Sequence, residues 1–367
     1  MNLFDRDRHP VRFAVLTSVT GGLSLAAILA ASGALFRTGL LTAPVPVWSL
    51  LAVAAIAAGV VAAFGVISQR PAARTFLILP AFTENHWLAT VVKHMHRSLD
   101  RRGKSVLLMI PDEDYSVEGQ AHHLRNIEAR RAECVGGFIV AADEKASRSD
   151  LRRFCAELGR PVVLMDVEPF DDEQDYPANA VYVGYAAADI GEMAASWALR
   201  RLAAAGETDP TILVVAGPAQ WGRHRRFIEV MDSELGPGRV VLAEDGHFSR
   251  VQARTVVEQR LRELDGAGRK PAVIFCTNDE MALGAVDALL ADGSELANTV
   301  AILGVDGTPE ARALIDTRRS PLQATIVQDP YKISEKAADL FERMIKGERV
   351  RVRTRLPVGL YDGSGRR

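Results

Sequence analysis

The sequence predicts an α/β protein of two Rossmann-like lobes with parallel sheets, preceded by two transmembrane helices. Three observations predict it. From Thr75 onward short apolar runs alternate with amphipathic stretches, the pattern of a parallel sheet with crossover helices on both faces. The rhythm restarts at AVYVGY, residues 180–185, so that one lobe is followed by another of like construction. Ahead of both lie two uncharged stretches, 13–36 and 45–69, rich in Ala, Leu, Val and Gly. The 367 residues also exceed what one hydrophobic core organises.

Each uncharged stretch is longer than the roughly 20 residues needed to cross hydrocarbon as a helix. Residues 1–73 therefore read as a membrane anchor, with spans at about 13–36 and 45–67 and a short connector that holds Arg37 and Pro44. A cleaved signal peptide competes for the first run, since Arg6, Arg8 and Arg12 precede it and Ser32-Gly33-Ala34 resembles a small-residue cleavage site. Arginines flank both outer ends of the pair (Arg6, Arg8, Arg12; Arg70, Arg74), which places the large domain in the cytoplasm by the positive-inside rule. The expected localisation is a multi-pass inner-membrane protein that contacts lipid through these two helices.

The first lobe begins with the strand TFLILP, a helix from about His86 to Arg102, SVLLMI, and a helix from about Gly119 to Ala132. GGFIVA, a helix from Ser149 to Leu158, and PVVLMD complete it. The second runs through a helix from Ala188 to Ala204, TILVVAG, a helix from about Arg223 to Leu235, RVVLAED, a helix from Arg250 to Leu264, AVIFCTND and AILGVD. A last helix, Pro330 to Ile345, and the strand-like RVRTRLPVGLY follow.

The most informative segments are PAVIFCTNDEMALGAVDALLADG, AILGVDGTPEARALI and LQATIVQDPYKISEKAADL. Each is an apolar strand that ends in a polar residue at the mouth of the next helix: Asn278, Asp306 and Gln328. In open α/β sheets ligands bind beyond the carboxyl ends of the strands, so these three side chains converge on a small-molecule crevice. Ordinary work is available to each residue as well: a helix cap for Asn278, a turn before Gly307 for Asp306, a solvated loop for Gln328.

These segments resemble the type I periplasmic binding protein family, the ribose-binding-like sugar receptors whose ligand-binding core is shared with lac repressor-like regulators. The resemblance runs from about Arg74 to the C-terminus, and NDEMALGA with GVDGTPEA carries most of it. It implies the periplasmic-binding-protein-like I fold, in which the chain crosses between lobes several times to form a hinge. The lobes are then 74–184 plus 329–359 and 185–328 plus 360–367. It also implies a domain that faces outward, against the charge rule.

A carboxylate or planar amide grips vicinal sugar hydroxyls through paired hydrogen bonds, and an aromatic face covers the sugar's apolar side. The resemblance implies such roles for Asn278, Asp306 and Gln328, for Phe248 in EDGHFSR, and for Arg223 in GRHRRF, with Arg225 as its rival. In the first lobe it implies the same for Asn85 and Trp87 in TENHWLAT and for Asp166 in VVLMDVE. Val167 follows Asp166 where sugar receptors commonly carry Arg, and Ala141 and Ala142 stand where a polar contact is frequent. The first lobe is thus poor in donors, which suits a less hydroxylated ligand or another pose.

No cofactor, metal site or catalytic machinery is read from the chain. His94 and His96 on one helix point about 200° apart, poor geometry for a shared metal. There is no GxSxG elbow and no P-loop, and Cys134, Cys155 and Cys276 lack ligand spacing. The acidic run 166–175 reads, beyond Asp166, as a solvated loop. With Lys+Arg 44 against Asp+Glu 46, nothing attracts nucleic acid. A membrane-anchored receptor for a small sugar or sugar-like molecule is the function expected, with a permease or a sensor kinase as partner. The alternatives are a cytoplasmic-facing sensor without a DNA-binding domain and a degenerate receptor used for protein interaction.

Overall fold

A computed structural model describes Gly59 and residues 74–81, 85–217, 221–291 and 295–364. The chain divides into two units, Met1–Ala72 and Ala73–Arg367, and both sheets belong to the second.

The first sheet has the order β2-β1-β3-β4-β5-β11, with strands β1 (Arg74–Ile78), β2 (Val106–Met109), β3 (Cys134–Val140), β4 (Val162–Met165), β5 (Ala180–Tyr185) and β11 (Arg353–Leu356). All its pairings are parallel. The second sheet repeats the pattern as β7-β6-β8-β9-β10-β12, from β6 (Thr211–Val215), β7 (Val240–Ala243), β8 (Pro271–Cys276), β9 (Ala301–Asp306), β10 (Leu322–Val327) and β12 (Gly359–Tyr361). Only β12 runs antiparallel, against β10. The inner strands β4, β5, β6 and β9 are buried along their whole length, which is why they read as unbroken apolar runs rather than alternating ones.

The helices are α1 (His86–Arg101), α2 (Val117–Ala129), α3 (Arg148–Leu158), α4 (Ala187–Ala205), α5 (Trp221–Leu235), α6 (Arg250–Gly266), α7 (Asp279–Ala291), α8 (Leu296–Thr299), α9 (Pro309–Thr317) and α10 (Pro330–Ile345). Their starts are written in the sequence. Ser116, Ser249 and Thr308 accept from backbone N–H groups in the first turns of α2, α6 and α9. Asp329 accepts from Tyr331 and Lys332, and Pro309 and Pro330 occupy first helical positions whose N–H would be unpaired in any case.

The chain passes between sheets three times: after β5 into α4, which packs on the second sheet; after β10 into α10, which packs on α1 and the first sheet; and between β11 and β12. RVRTRLPVGLY is therefore two strands in two sheets, divided at Pro357 and Val358. Pro at 357 supplies no N–H, so a ladder cannot continue through it.

The expectation of a multi-pass inner-membrane protein preceded by two transmembrane helices is corrected. Among the described residues no helix is long and apolar enough to cross a membrane. The longest of them, α4, reaches about 28 Å at 1.5 Å per residue, but it carries Asp189, Glu192, Arg200 and Arg201. The segments 13–36 and 45–67 on which the expectation rested lie, Gly59 apart, outside the described residues.

Candidate functional site: a cleft between the lobes

The eight residues singled out by sequence lie at or beyond the carboxyl ends of strands, Asp306 as the last residue of β9, and the fold brings them to one place. Asn85 caps α1 through Oδ1, which accepts from Leu88 N at 3.0 Å, while its Nδ2 donates to the Tyr115 hydroxyl at 3.0 Å. Asn278 does the same in the second lobe: Oδ1 accepts from Met281 N at 2.9 Å, and Nδ2 donates to Phe248 O at 3.3 Å. Capping and site lining are thus the work of one side chain in both cases, since each residue also lines the small central cavity.

The centre of the site is Arg223, buried on α5. Nη1 donates to Thr277 O and Nη2 to Gln328 Oε1, both at 2.8 Å. Nη2 lies 3.8 Å from Asp166 Oδ1, so the charge pair spans the two lobes without a hydrogen bond of its own. Arg225 is the rival that the fold places elsewhere, with most of its side chain in solvent.

Gln328 is wholly buried and joins four of the other residues. Its Oε1 accepts from Arg223, its Nε2 reaches Asp166 Oδ1 at 3.5 Å, its N–H donates to Asp306 O at 3.2 Å, and its carbonyl accepts from Trp87 Nε1 at 2.7 Å. The side chain does not line the cavity. Buried at a chain crossing, it is not the solvated loop residue that its sequence context permits.

Tyr115, in the loop after β2, lines the same cavity and packs its ring against Phe248 of the other lobe, with centroids 4.7 Å apart. It is absent from the residues that the sequence singles out. Its context, DEDYS, reads as an acidic surface loop, and only an aromatic immediately before the Ser116 cap offered a signal. Ala141 and Ala142 are buried, and the backbone after β3 is held by Gln120, whose Oε1 accepts from Ala142 N and whose Nε2 donates to Val140 O.

The site is held in uncommon backbone. Tyr115, Asp166, Phe248 and Asp306 have φ of 61°, 59°, 54° and 117°, and only two other non-glycine residues among those described, His247 and Arg318, have positive φ. Such residues cost on the order of 1–3 kcal/mol each and persist where the surroundings over-determine them. Gly217 is part of the arrangement, because a Cβ there would lie 2.5 Å from the Phe248 ring.

Electrostatically, the cavity lining combines the Asp166 and Asp306 carboxyls with the Arg223 guanidinium. Burial pushes Asp166 upward, and Arg223 and Gln328 partly offset it. Asp306 is pushed well above the usual carboxylate range by burial and then by its neighbour Asp279. Asp279 itself is raised to about 7 by burial, although Thr325 Oγ1 (2.6 Å) and Thr308 N (2.7 Å) both donate to it. It faces into the second lobe, where it fastens α7 to β10 and to the start of α9.

Acceptor carboxyls, a fixed guanidinium and the rings of Trp87, Tyr115 and Phe248 suit a small molecule with vicinal hydroxyls and an apolar face. The lobes are closed on one another, and the cavity between the rings measures about 10 Å³, room for about one water molecule. Anything larger enters only when the lobes part.

A family model described as a periplasmic binding protein domain matches residues 76–349. The ribose import binding protein of Bacillus subtilis is 24% identical over 278 residues, 75% of this chain and 83% of that protein. Among solved structures, a periplasmic solute binding protein of an ABC transporter from Actinobacillus succinogenes, with bound D-allose, superposes with a TM-score of 0.66 at 19% identity, covering 79% of this chain and 97% of that one. A Mycobacterium smegmatis protein in complex with β-D-fucofuranose gives 0.67 at 21%, covering 80% and 92%. These likenesses show the fold.

Proposed function

The chain belongs to the periplasmic binding protein domain family, and from that premise we propose that it captures a small sugar or sugar-like ligand between its lobes by hinge closure, for transport or signalling. One observation carries the reading: Asp166 of the first lobe faces Arg223 of the second, beside the Tyr115 and Phe248 rings, at a cleft that three chain crossings allow to open. Closure around a ligand is a rigid-body motion of this architecture. The relatives support binding rather than catalysis, since the one named above is a ribose import binding protein and the two structures hold D-allose and β-D-fucofuranose.

Asp166, Asp306 and Arg223 take the hydroxyls, Asn85 and Asn278 offer their remaining amide N–H groups, and Trp87 and Phe248 cover the ring, while Gln328 orients Arg223. The lobes are 74–184 plus 329–359 and 185–328 plus 360–367, a division supported by the allocation of strands to two sheets. A permease or a sensor kinase that reads the closed form is the partner.

The test is thermal unfolding of the full chain against pentoses, hexoses, polyols and nucleosides. A ligand at a hundred times its dissociation constant adds about 2.7 kcal/mol to the folded state. The expected result is a shift that Asp306→Ala abolishes. No shift with any compound assigns the closed cleft to a domain that has lost its ligand.

A further inference from the structure

Beside the ring-lined cavity lies a second, larger space between the lobes. This chamber measures about 460 Å³, within the roughly 300–1,000 Å³ of small-molecule pockets. Its first-lobe wall includes Glu144, Arg148 and Asp171, and its second-lobe wall includes Ala188 of α4 and Gly222 and Arg225 of α5. Asp166, Val167 and Arg223 line both spaces. The two are therefore neighbours, which meet at Val167 and at the Asp166–Arg223 charge pair.

On these grounds, and resting on the sugar-binding reading above, we propose that the ligand is a glycoside, most simply a disaccharide, whose first ring is covered by Trp87 and Phe248 in the opened central cavity and whose second unit passes Val167 into the chamber. The chemistry of the walls selects this class. Arg148 is bidentate to Asp171 at 2.7 and 2.8 Å, and Glu168 takes both Arg353 and Arg355. Arg226 is paired with Glu192 and Glu229, so most of the wall's cations are already neutralised and the surroundings ask for no charged ligand. Guanidinium groups offer five N–H donors each and carboxylates about four acceptor sites, which leaves positions for neutral hydroxyls after the internal pairs are made. Because both lobes line the chamber, which is itself half open to solvent, a second unit there contacts both and adds to closure.

The test compares glucose and galactose with maltose, cellobiose and lactose, by calorimetry on the full chain. Ala188→Trp and Arg225→Trp each fill the chamber from an exposed position, one on α4 and one on α5, and neither residue lines the central cavity. At least one disaccharide is expected to bind about tenfold or more tightly than its component sugars. Both tryptophan variants then reduce it to the level of the monosaccharide, whose own affinity stays unchanged. Monosaccharides that bind as tightly as every disaccharide overturn the glycoside assignment and leave the sugar receptor standing. A disaccharide preference that survives both variants overturns the use of the chamber. Binding of neither class removes this proposal, and the wider panel of pentoses, polyols and nucleosides then decides the reading beneath it.

Discussion

Arg223 is the guanidinium against which two buried carboxyls are set, and its removal has a calculable direction. Arg223→Met keeps much of the side-chain volume but strands Asp166 without a countercharge, and breaking one half of a buried pair costs about 3–5 kcal/mol. Urea unfolding at pH 7 is expected to show a loss of that order. At pH 5 the loss shrinks, because the stranded carboxyl takes up a proton instead of carrying charge. Gly217→Ala tests the packing beneath the ring: a Cβ 2.5 Å from Phe248 forces the ring to move, at about 1–3 kcal/mol. How far the site was legible is decided at this scale. Polar residues at strand ends pointed to Asn278, Asp306 and Gln328, whose positions follow from the fold, while Arg223, within α5, was singled out only through the family resemblance. Tyr115 was hidden, since its place depends on a positive φ within an acidic loop, and neither composition nor periodicity records a backbone angle. Gln328 was visible as a site residue but not in its role, which rests on bonds to Trp87 and Asp306, partners distant in sequence or reached through the backbone.

At the scale of elements, Asp279 joins three pieces of the second lobe through its bonds to Thr325 and Thr308. Gly304 gives it room, as a Cβ there would come within 2.3 Å of its Oδ1. With the carboxyl raised from 3.8 to about 7, the folded chain holds a proton between those values that the unfolded chain has released. Stability therefore falls as pH rises through that window, by linkage. Asp279→Asn is expected to flatten the slope, and urea unfolding at several pH values from 4.5 to about 7.5 checks it; an unchanged slope removes Asp279 as its source. Helices and strands themselves were largely readable, because buried parallel strands and amphipathic crossovers have distinct periods. The short α8 was not expected, since four residues are too few for a period to show. RVRTRLPVGLY read as strand-like throughout, and only the family resemblance implied a crossing within it, because the residue pattern does not say which sheet a strand joins.

For the molecule as a whole, the question is what holds the lobes together. Glu144 of the first lobe sets its carboxylate 3.3 Å from Gly222 N, in the first turn of α5 in the second lobe. A charge at a helix N-terminus contributes about 0.3–1 kcal/mol, and Glu144→Gln is expected to weaken ligand binding by about two- to fivefold through a less favoured closed form. Calorimetry gives the affinity, and chemical unfolding shows whether the lobes themselves keep their stability. A larger loss of folding stability than of affinity makes Glu144 a structural residue instead. The membrane expectation belongs to this scale too. It rested on segments ahead of the sheets, where hydropathy alone spoke and no described helix bears it out.

The interleaving of the sheets sets an order on biogenesis. The strand that completes the first sheet, Arg353–Leu356, leaves the ribosome only after every strand of the second sheet except β12 has been made. At about 5–20 residues per second, β5 waits roughly ten to thirty seconds for its neighbour. During that interval its outer edge is unpaired along a strand without a charged residue, which is a template for pairing with another nascent chain. The same connectivity that gives the molecule its hinge thus makes the unfinished polypeptide a natural client for a chaperone.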